Sequence, residues 1–425
     1  MMLKKLLFGR EENASRRAYV WNMVSSLIFS LQSALFLLVV TRAGGTEDAG
    51  RFMIYFTVAQ TLSAVGGYSI REFQVSDLRE EYPFSAYYTT RWVTCLAMLV
   101  LAGGYSILKG LSSADFAALG GLVSYRFIEC MEDVYHGHVQ RKGRFDVTSL
   151  SMSLRMALSS LAFCACYLMT KNLALSTGIL ALASLAAYAV LILPLKQAFP
   201  EMRPGRSFSS VPKILIACFP IFAGMFLYSY LINAPRYTID DLMPKEAQTI
   251  YGVLFMPVFA VNLLSAFIYR PQLVSLSTLW DTGDLAGFRK AALRQLVIIA
   301  GLTAAMVAGG LLIGLRLLEL IYGVGLEEYR LTFGLLLLFG GFTAAAFYLN
   351  TLLTIMRKQH FILIGYGSAF LVHLLATAAL VKSHGIAGAG LAYGAIMGFL
   401  FLFDATAVTV LARKAAKMPR KEDLP

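Results

Sequence analysis

One stretch of this chain gathers ionisable residues where the surrounding sequence is apolar: Tyr125-Arg126-Phe127-Ile128-Glu129-Cys130-Met131-Glu132-Asp133-Val134-Tyr135-His136-Gly137-His138-Val139-Gln140. Placed on a helix at about 100° per residue, Arg126, Glu129, Asp133, His136 and Gln140 share an arc of about 80°, and Glu132 sits off it. Members of such a face can pair with one another along the helix or face a water-filled space. Arg126 and Glu129 have the spacing of an ion pair along one helix. Two readings compete. The stripe is a helix end emerging into water, or it lines a hydrophilic cavity, as charges inside membrane spans usually do. Arg155, in the next apolar stretch, favours the cavity, although its place near the start of that stretch also suits snorkelling to the interface.

Other polar groups gather at the mouths of apolar segments. Arg71, Gln74 and Asp77 follow one such segment, and Arg236 and Asp240 close another. Either group is a solvated helix end or a set of ligand contacts. His373 reads as a packed, hydrogen-bonded histidine. Asp404 lies in an apolar run, where a carboxylate wants a partner. Gly385-Ile386-Ala387-Gly388-Ala389-Gly390 is a small-residue run suited to close helix packing.

No catalytic constellation is present. There is no phosphate-binding Gly-rich loop, no G-x-S-x-G elbow and no H-E-x-x-H. His136 and His138 point to different helix faces, and Cys164 and Cys166 have no further ligands nearby, so no metal site is expected. The remaining cysteines, Cys95, Cys130 and Cys218, also lie in apolar stretches; an odd number so placed argues against a disulfide framework. The expectation is a protein that is not an enzyme and has no cofactor beyond a coupling proton or sodium ion.

The elements that must position these residues follow from composition. Of 425 residues, 58% are hydrophobic and 15% charged, and the mean hydropathy is +0.66. Ordinary soluble domains are about 25% charged. That contrast excludes a soluble enzyme, a disordered scaffold or a nucleic-acid-binding domain. The net charge of +12 then reads as basic cytoplasmic loops. Met1–Arg10 has too short an apolar run for a signal peptide, so the first long segment is expected to stay as an anchor.

Twelve segments reach the length of about 20 residues that a bilayer core requires: 19–41, 50–70, 89–108, 114–137, 146–169, 173–195, 212–233, 247–269, 291–315, 331–356, 361–381 and 386–412. The fold class is an all-α integral membrane protein, with twelve transmembrane helices in two six-helix lobes. A cytoplasmic tail covers 1–18, an N-terminal lobe 19–196, a cytoplasmic linker 197–211, a C-terminal lobe 212–412 and a basic cytoplasmic tail 413–425. Counting Lys and Arg by side gives 26 against 9, which predicts both termini in the cytoplasm. A shift of 199 residues aligns Glu47 with Glu246, Phe52 with Tyr251 and Arg71 with Arg270, a faint repeat consistent with two lobes of the same orientation.

Ala234-Pro235-Arg236-Tyr237-Thr238-Ile239-Asp240, with Tyr251-Gly252 and Pro257, resembles the region after the seventh helix of bacterial polysaccharide flippases. These are lipid-linked oligosaccharide exporters of the multidrug/oligosaccharidyl-lipid/polysaccharide superfamily. Arg71 to Asp77 resembles a matching segment after the second helix. Glu129 to Asp133, Gly137, Gln140 and Arg144 resemble the polar fourth helix. His384 to Gly390 is similar to the start of the last helix. The matches keep their order along nearly the whole chain, and the polysaccharide and teichoic-acid branch fits better than the drug/cation antiporters.

The resemblance implies alternating-access flipping of an undecaprenyl-diphosphate-linked oligosaccharide or teichoic-acid precursor across the bacterial cytoplasmic membrane. Expected partners are that glycan, membrane lipids and cell-envelope polysaccharide assembly proteins, and no nucleic acid. Arg71, Arg126, Arg155 and Arg270 are then candidates for diphosphate or acidic-sugar contacts, since guanidinium suits phosphate. Glu129, Asp133 and Asp404 can pair with these arginines or bind the coupling ion. Rival readings are a drug/cation antiporter of the same superfamily, a peptidoglycan-precursor flippase, and a multispan glycan polymerase or acyltransferase. The last normally has a large outer loop, and no outer loop in this segmentation exceeds about 15 residues.

Overall fold

The computed structural model describes residues 7–8, 14–77, 79–269 and 272–416. Arg270 and the basic tail from 417 lie outside the described residues, as do 1–6 and 9–13 of the N-terminal tail. Among the described residues the chain is built from helices and turns, with no strand. It divides into two compact units, Met1–Ser229 and Tyr230–Pro425.

In the first unit, α1 (Ala14–Gly67) is broken at Gly45, whose φ of 89° is open to glycine and strained for other residues. A short α2 (Ile70–Ser76) follows two residues in the left-handed region, Tyr68 and Ser69. Pro83 precedes α3 (Phe84–Leu108). At the start of α4 (Ser113–Arg141) the Ser112 hydroxyl accepts from the Asp115 amide at 3.2 Å, and Asp115 itself suits the positive end of the helix dipole. Then come α5 (Phe145–Thr170) and α6 (Leu173–Ala198), the latter capped by the Asn172 side chain. α4 packs against α1, α2, α3, α5 and α6, so nearly every face of the polar helix is covered by protein. The segment after α6 stays attached: Met202 is buried, and the Thr89 hydroxyl donates to the Gly205 carbonyl and accepts from the Ser207 amide. α7 (Val211–Leu242) runs out of the first unit into the second.

In the second unit, α8 (Lys245–Phe255) and α9 (Val258–Tyr269) precede α10 (Leu273–Asp281). α11 (Leu285–Gly309) continues through a π-helical turn, Gly310–Gly314, into α12 (Leu315–Tyr322). α13 (Arg330–Ile355) and α14 (His360–Ala416) pack along each other, and α14 is broken at Gly385, with φ 57°. Val261, Ile299, Tyr348 and Leu352 lie in the core between these helices.

Nine helical stretches among the described residues are long and apolar enough to cross a membrane. Two of them, Arg16–Ser76 and His360–Ala415, contain the breaks at Gly45 and Gly385, and each covers two of the segments expected from the sequence. α4 is not among the nine, because Arg126, Glu129, Glu132 and Asp133 lower its hydropathy. The surface is apolar: Ile107, Leu108, Met169 and Leu375 are each more than 80% exposed. Buried charge under an apolar exterior is the arrangement a bilayer selects.

Candidate functional site: an ion-pair network on α4

Asp133 is one hub. Its Oδ1 accepts from Arg71 Nη1 at 2.7 Å and its Oδ2 from Arg91 Nη2 at 3.0 Å. Arg71 also donates to Gln140 Oε1 from Nε at 3.2 Å and from Nη2 at 2.9 Å. Arg91 Nη1 donates to the Gly66 carbonyl at 3.0 Å and to the Gly67 carbonyl, satisfying the end of α1.

Glu132 is the second hub. Its Oε2 accepts from Arg155 Nε at 2.6 Å and its Oε1 from the Ser151 hydroxyl at 3.3 Å, with His136 Nε2 3.6 Å from Oε1. Arg155 Nη1 donates to Ser184 Oγ at 3.0 Å, and Nη2 lies 3.8 Å from Glu129 Oε1. Glu129 Oε2 accepts from Arg126 Nη1 at 2.6 Å, so Arg155 joins the two carboxylates. Arg126 and Arg155 both lie over the Tyr125 ring, with centroid distances of 5.5 and 5.3 Å. Four guanidinium groups (Arg71, Arg91, Arg126, Arg155) thus meet three carboxylates (Glu129, Glu132, Asp133), which leaves one positive charge over while His136 is neutral.

The structure gathers Arg71, Asp133 and Gln140 at one hub and Arg126, Glu129, His136 and Arg155 at the other, on neighbouring turns of α4. It adds two residues that the sequence reading did not single out. Glu132 is off the stripe, yet it is buried against Arg155, because α4 is covered on several sides rather than one. Arg91, near the start of the segment 89–108, is completely buried between α1 and Asp133. Arg155 does not snorkel; it too has no exposed surface.

The other candidates are placed apart from this network or in different roles. Gln74 is buried beside Gly137, and among the described residues neither its oxygen nor its nitrogen has a hydrogen-bond partner. Asp77 organises the following turn, accepting from the Tyr87 hydroxyl at 2.7 Å and from the Glu81 and Tyr82 amides at 2.9 and 3.3 Å. Burial opposes its charge, but these bonds and Arg141 outweigh that and hold its carboxyl below the usual range.

In the second unit Arg236 is half-buried with its guanidinium 5.1 Å from the Phe255 ring centre, and Asp240 pairs with Lys245. His373 is packed and bonded as expected, with Nδ1 2.9 Å from Thr377 Oγ1 and Nε2 3.3 Å from the Tyr230 hydroxyl. Asp404 is 1% exposed, and among the described residues neither oxygen has a hydrogen-bond partner. It lies against Gly365, next to Tyr366, whose hydroxyl accepts from Asn350 Nδ2 at 3.0 Å. Among the described residues Asp404 pairs with no arginine. Among the described residues no group of three or more His, Cys, Asp or Glu is placed to hold a metal ion.

No protein-family model matches the chain. Over 325 residues it is 21% identical to the capsular polysaccharide biosynthesis protein CapF of Staphylococcus aureus, covering 75% of this chain and 81% of that one. Its fold is similar to the inward-facing conformation of a multidrug resistance MATE family transporter of the MOP superfamily, the superfamily named above. The TM-score is 0.62 at 13% identity, covering 92% of this chain and 99% of the other. The Vibrio cholerae MATE transporter VcmN in its bent form gives 0.57 at 12% identity, covering 98% of both chains. A MOP superfamily transporter from Pyrococcus furiosus, described as having a binding pocket of reverse polarity, gives 0.55 at 12% identity, over 97% and 98% of the two chains. The chain is a multi-pass membrane protein with the MOP transporter fold.

Proposed function

We propose that this chain is a twelve-helix flippase, with both termini in the cytoplasm of a bacterial cell, that moves an undecaprenyl-diphosphate-linked oligosaccharide or teichoic-acid precursor across the cytoplasmic membrane. The observation that carries the reading is the largely buried pair of ion-pair clusters on α4, with four guanidinium groups to three carboxylates under an apolar exterior. A permanently cationic, hydrogen-bonding interior suits a diphosphate with polar sugars, while the lipid tail can stay in the bilayer. The capsular polysaccharide relative supports the same substrate class. On this reading Arg71, Arg126 and Arg155 meet the anionic head, with Gln74, Gln140, Arg236 and Arg270 as further contacts. Asp404 holds the coupling proton or sodium ion, and envelope polysaccharide assembly proteins supply and receive the glycan.

The MATE neighbours favour a second reading, ion-driven efflux of organic cations. A deletion strain separates the two. Extraction of its lipids is expected to show an accumulated lipid-linked glycan, restored to normal by the plasmid-borne chain. No accumulation, together with raised sensitivity to organic cations, would replace the flippase reading by the antiporter.

A further inference from the structure

The break between α1 and α2 has the parts of a hinge. Tyr68 and Ser69 both occupy the left-handed region, with φ of 46° and 51°, which side-chain-bearing residues rarely adopt. The end of α1 is held independently of α2: Arg91 donates to the Gly66 and Gly67 carbonyls, and Thr94 Oγ1 donates to the Gly66 carbonyl at 2.8 Å. Beyond the break, α2 is fastened to α4 through Arg71, which reaches Asp133 and Gln140. The residue after α2, Asp77, is tied to Tyr87 of α3 and Arg141 of α4, whereas one anchor within α2 is unfavourable. Gln74 is fully buried with both amide atoms unpartnered, seated on Gly137, where any Cβ would collide with the Gln74 oxygen. A buried amide without a partner opposes docking, whereas water would satisfy it once α2 swings out. The pivot also reaches another element: the Tyr68 ring stacks on Phe222 of α7 at 4.1 Å, and α7 is the helix that continues into the second unit.

We propose that α2 is a hinged gate, pivoting at Tyr68 and Ser69, clasped shut by Arg71 on Asp133 and seated by Gln74 on Gly137. Release exposes the Asp133 and Arg91 end of the network, and α7 is the element that moves the pivot. The inference rests on the transport reading for its purpose, but the motion itself is measurable without a substrate.

The test uses the full chain in membranes, with its five cysteines replaced by serine or alanine. Gln74→Cys is expected to react slowly with a water-soluble maleimide. Adding Arg71→Gln is expected to speed labelling by at least about tenfold, the factor that matches about 1.4 kcal/mol of lost docking. An unchanged rate means that α2 is not released by opening the clasp, and overturns the hinge. In the Gln74→Cys/Gly137→Cys pair, an oxidised disulfide is expected to abolish export and a reductant to restore it. Normal export by the locked chain overturns the gate. If labelling responds to Arg71→Gln but the unmodified chain moves no lipid-linked glycan, the hinge stands and the substrate reading fails.

Discussion

Arg155 on α5 and Glu132 on α4 meet at 2.6 Å with side chains 0% and 2% exposed. Neither residue can be relieved by water, so each is there on condition of the other. Ser184 takes one remaining donor of Arg155, and Ser151 donates to Glu132.

Breaking this pair from one side should be far worse than removing it whole. Glu132→Gln strands a buried guanidinium, and one-sided loss of a buried pair costs about 3–5 kcal/mol. The double variant Glu132→Leu/Arg155→Met should recover most of that loss in thermal unfolding of the detergent-solubilised protein. Equal melting of Glu132→Gln and the unmodified chain would show that the pair contributes nothing to folding.

Arg126→Ala and Asp133→Ala should both impair export of surface glycan while protein remains in the membrane. Asp133→Ala removes the acceptor for Arg71 and Arg91 at once, so its effect should be the larger. Surface glycan normalised to membrane-inserted protein is the readout. Normal export in both variants would make the network purely structural.

How much of this could be read from residues alone depends on which distances the chain itself sets. Arg126 and Glu129 are three apart on one helix, so their pairing follows from helical spacing and appears at 2.6 Å. Arg155 and Arg91 reach their partners across helices, and no spacing rule relates Arg91 to Asp133, 42 positions away. Helix breaks were legible only in part. Gly385 opened an expected span, but Tyr68 and Ser69 carry no local signal for a left-handed turn. Arg91 holding the two glycine carbonyls beside them is a tertiary cause.

The turn after α2 should show an acid-dependent contribution. The Asp77 carboxyl is held below its ordinary range, so its stabilisation is complete above the unfolded value, about 3.9, and fades as pH falls through the lower folded value. Asp77→Asn should lower the melting temperature by the same amount at about pH 6 and pH 8, and the gap should narrow below about pH 4. A gap that stays constant into acid would mean that the charge on Asp77 is not what holds the turn.

Sidedness follows from the 26-to-9 division of Lys and Arg. A reporter fused after Ala416 should lie in the cytoplasm, and one inserted between Gly323 and Leu326, past the end of α12, should lie outside. Reporters that agree on one side would refute a twelve-span arrangement with both termini in the cytoplasm.

Asp404 offers the sharpest separation of folding from function. Its two oxygens are buried and, among the described residues, without hydrogen-bond partners, in a setting of Tyr366, Asn350 and Gly365. A bare carboxylate there would bear a heavy desolvation penalty, which a proton or a bound cation would relieve. Asp404→Asn keeps the volume and removes the need for either, so the variant should fold as well as the unmodified chain. If Asp404 couples transport to an ion gradient, the same variant should lose gradient-driven export in proteoliposomes while still exchanging substrate at equilibrium. Imposing a proton gradient and a sodium gradient in turn identifies the ion that Asp404 takes. Full gradient-driven export by Asp404→Asn would remove this residue from the coupling mechanism and leave its burial as a feature of packing alone.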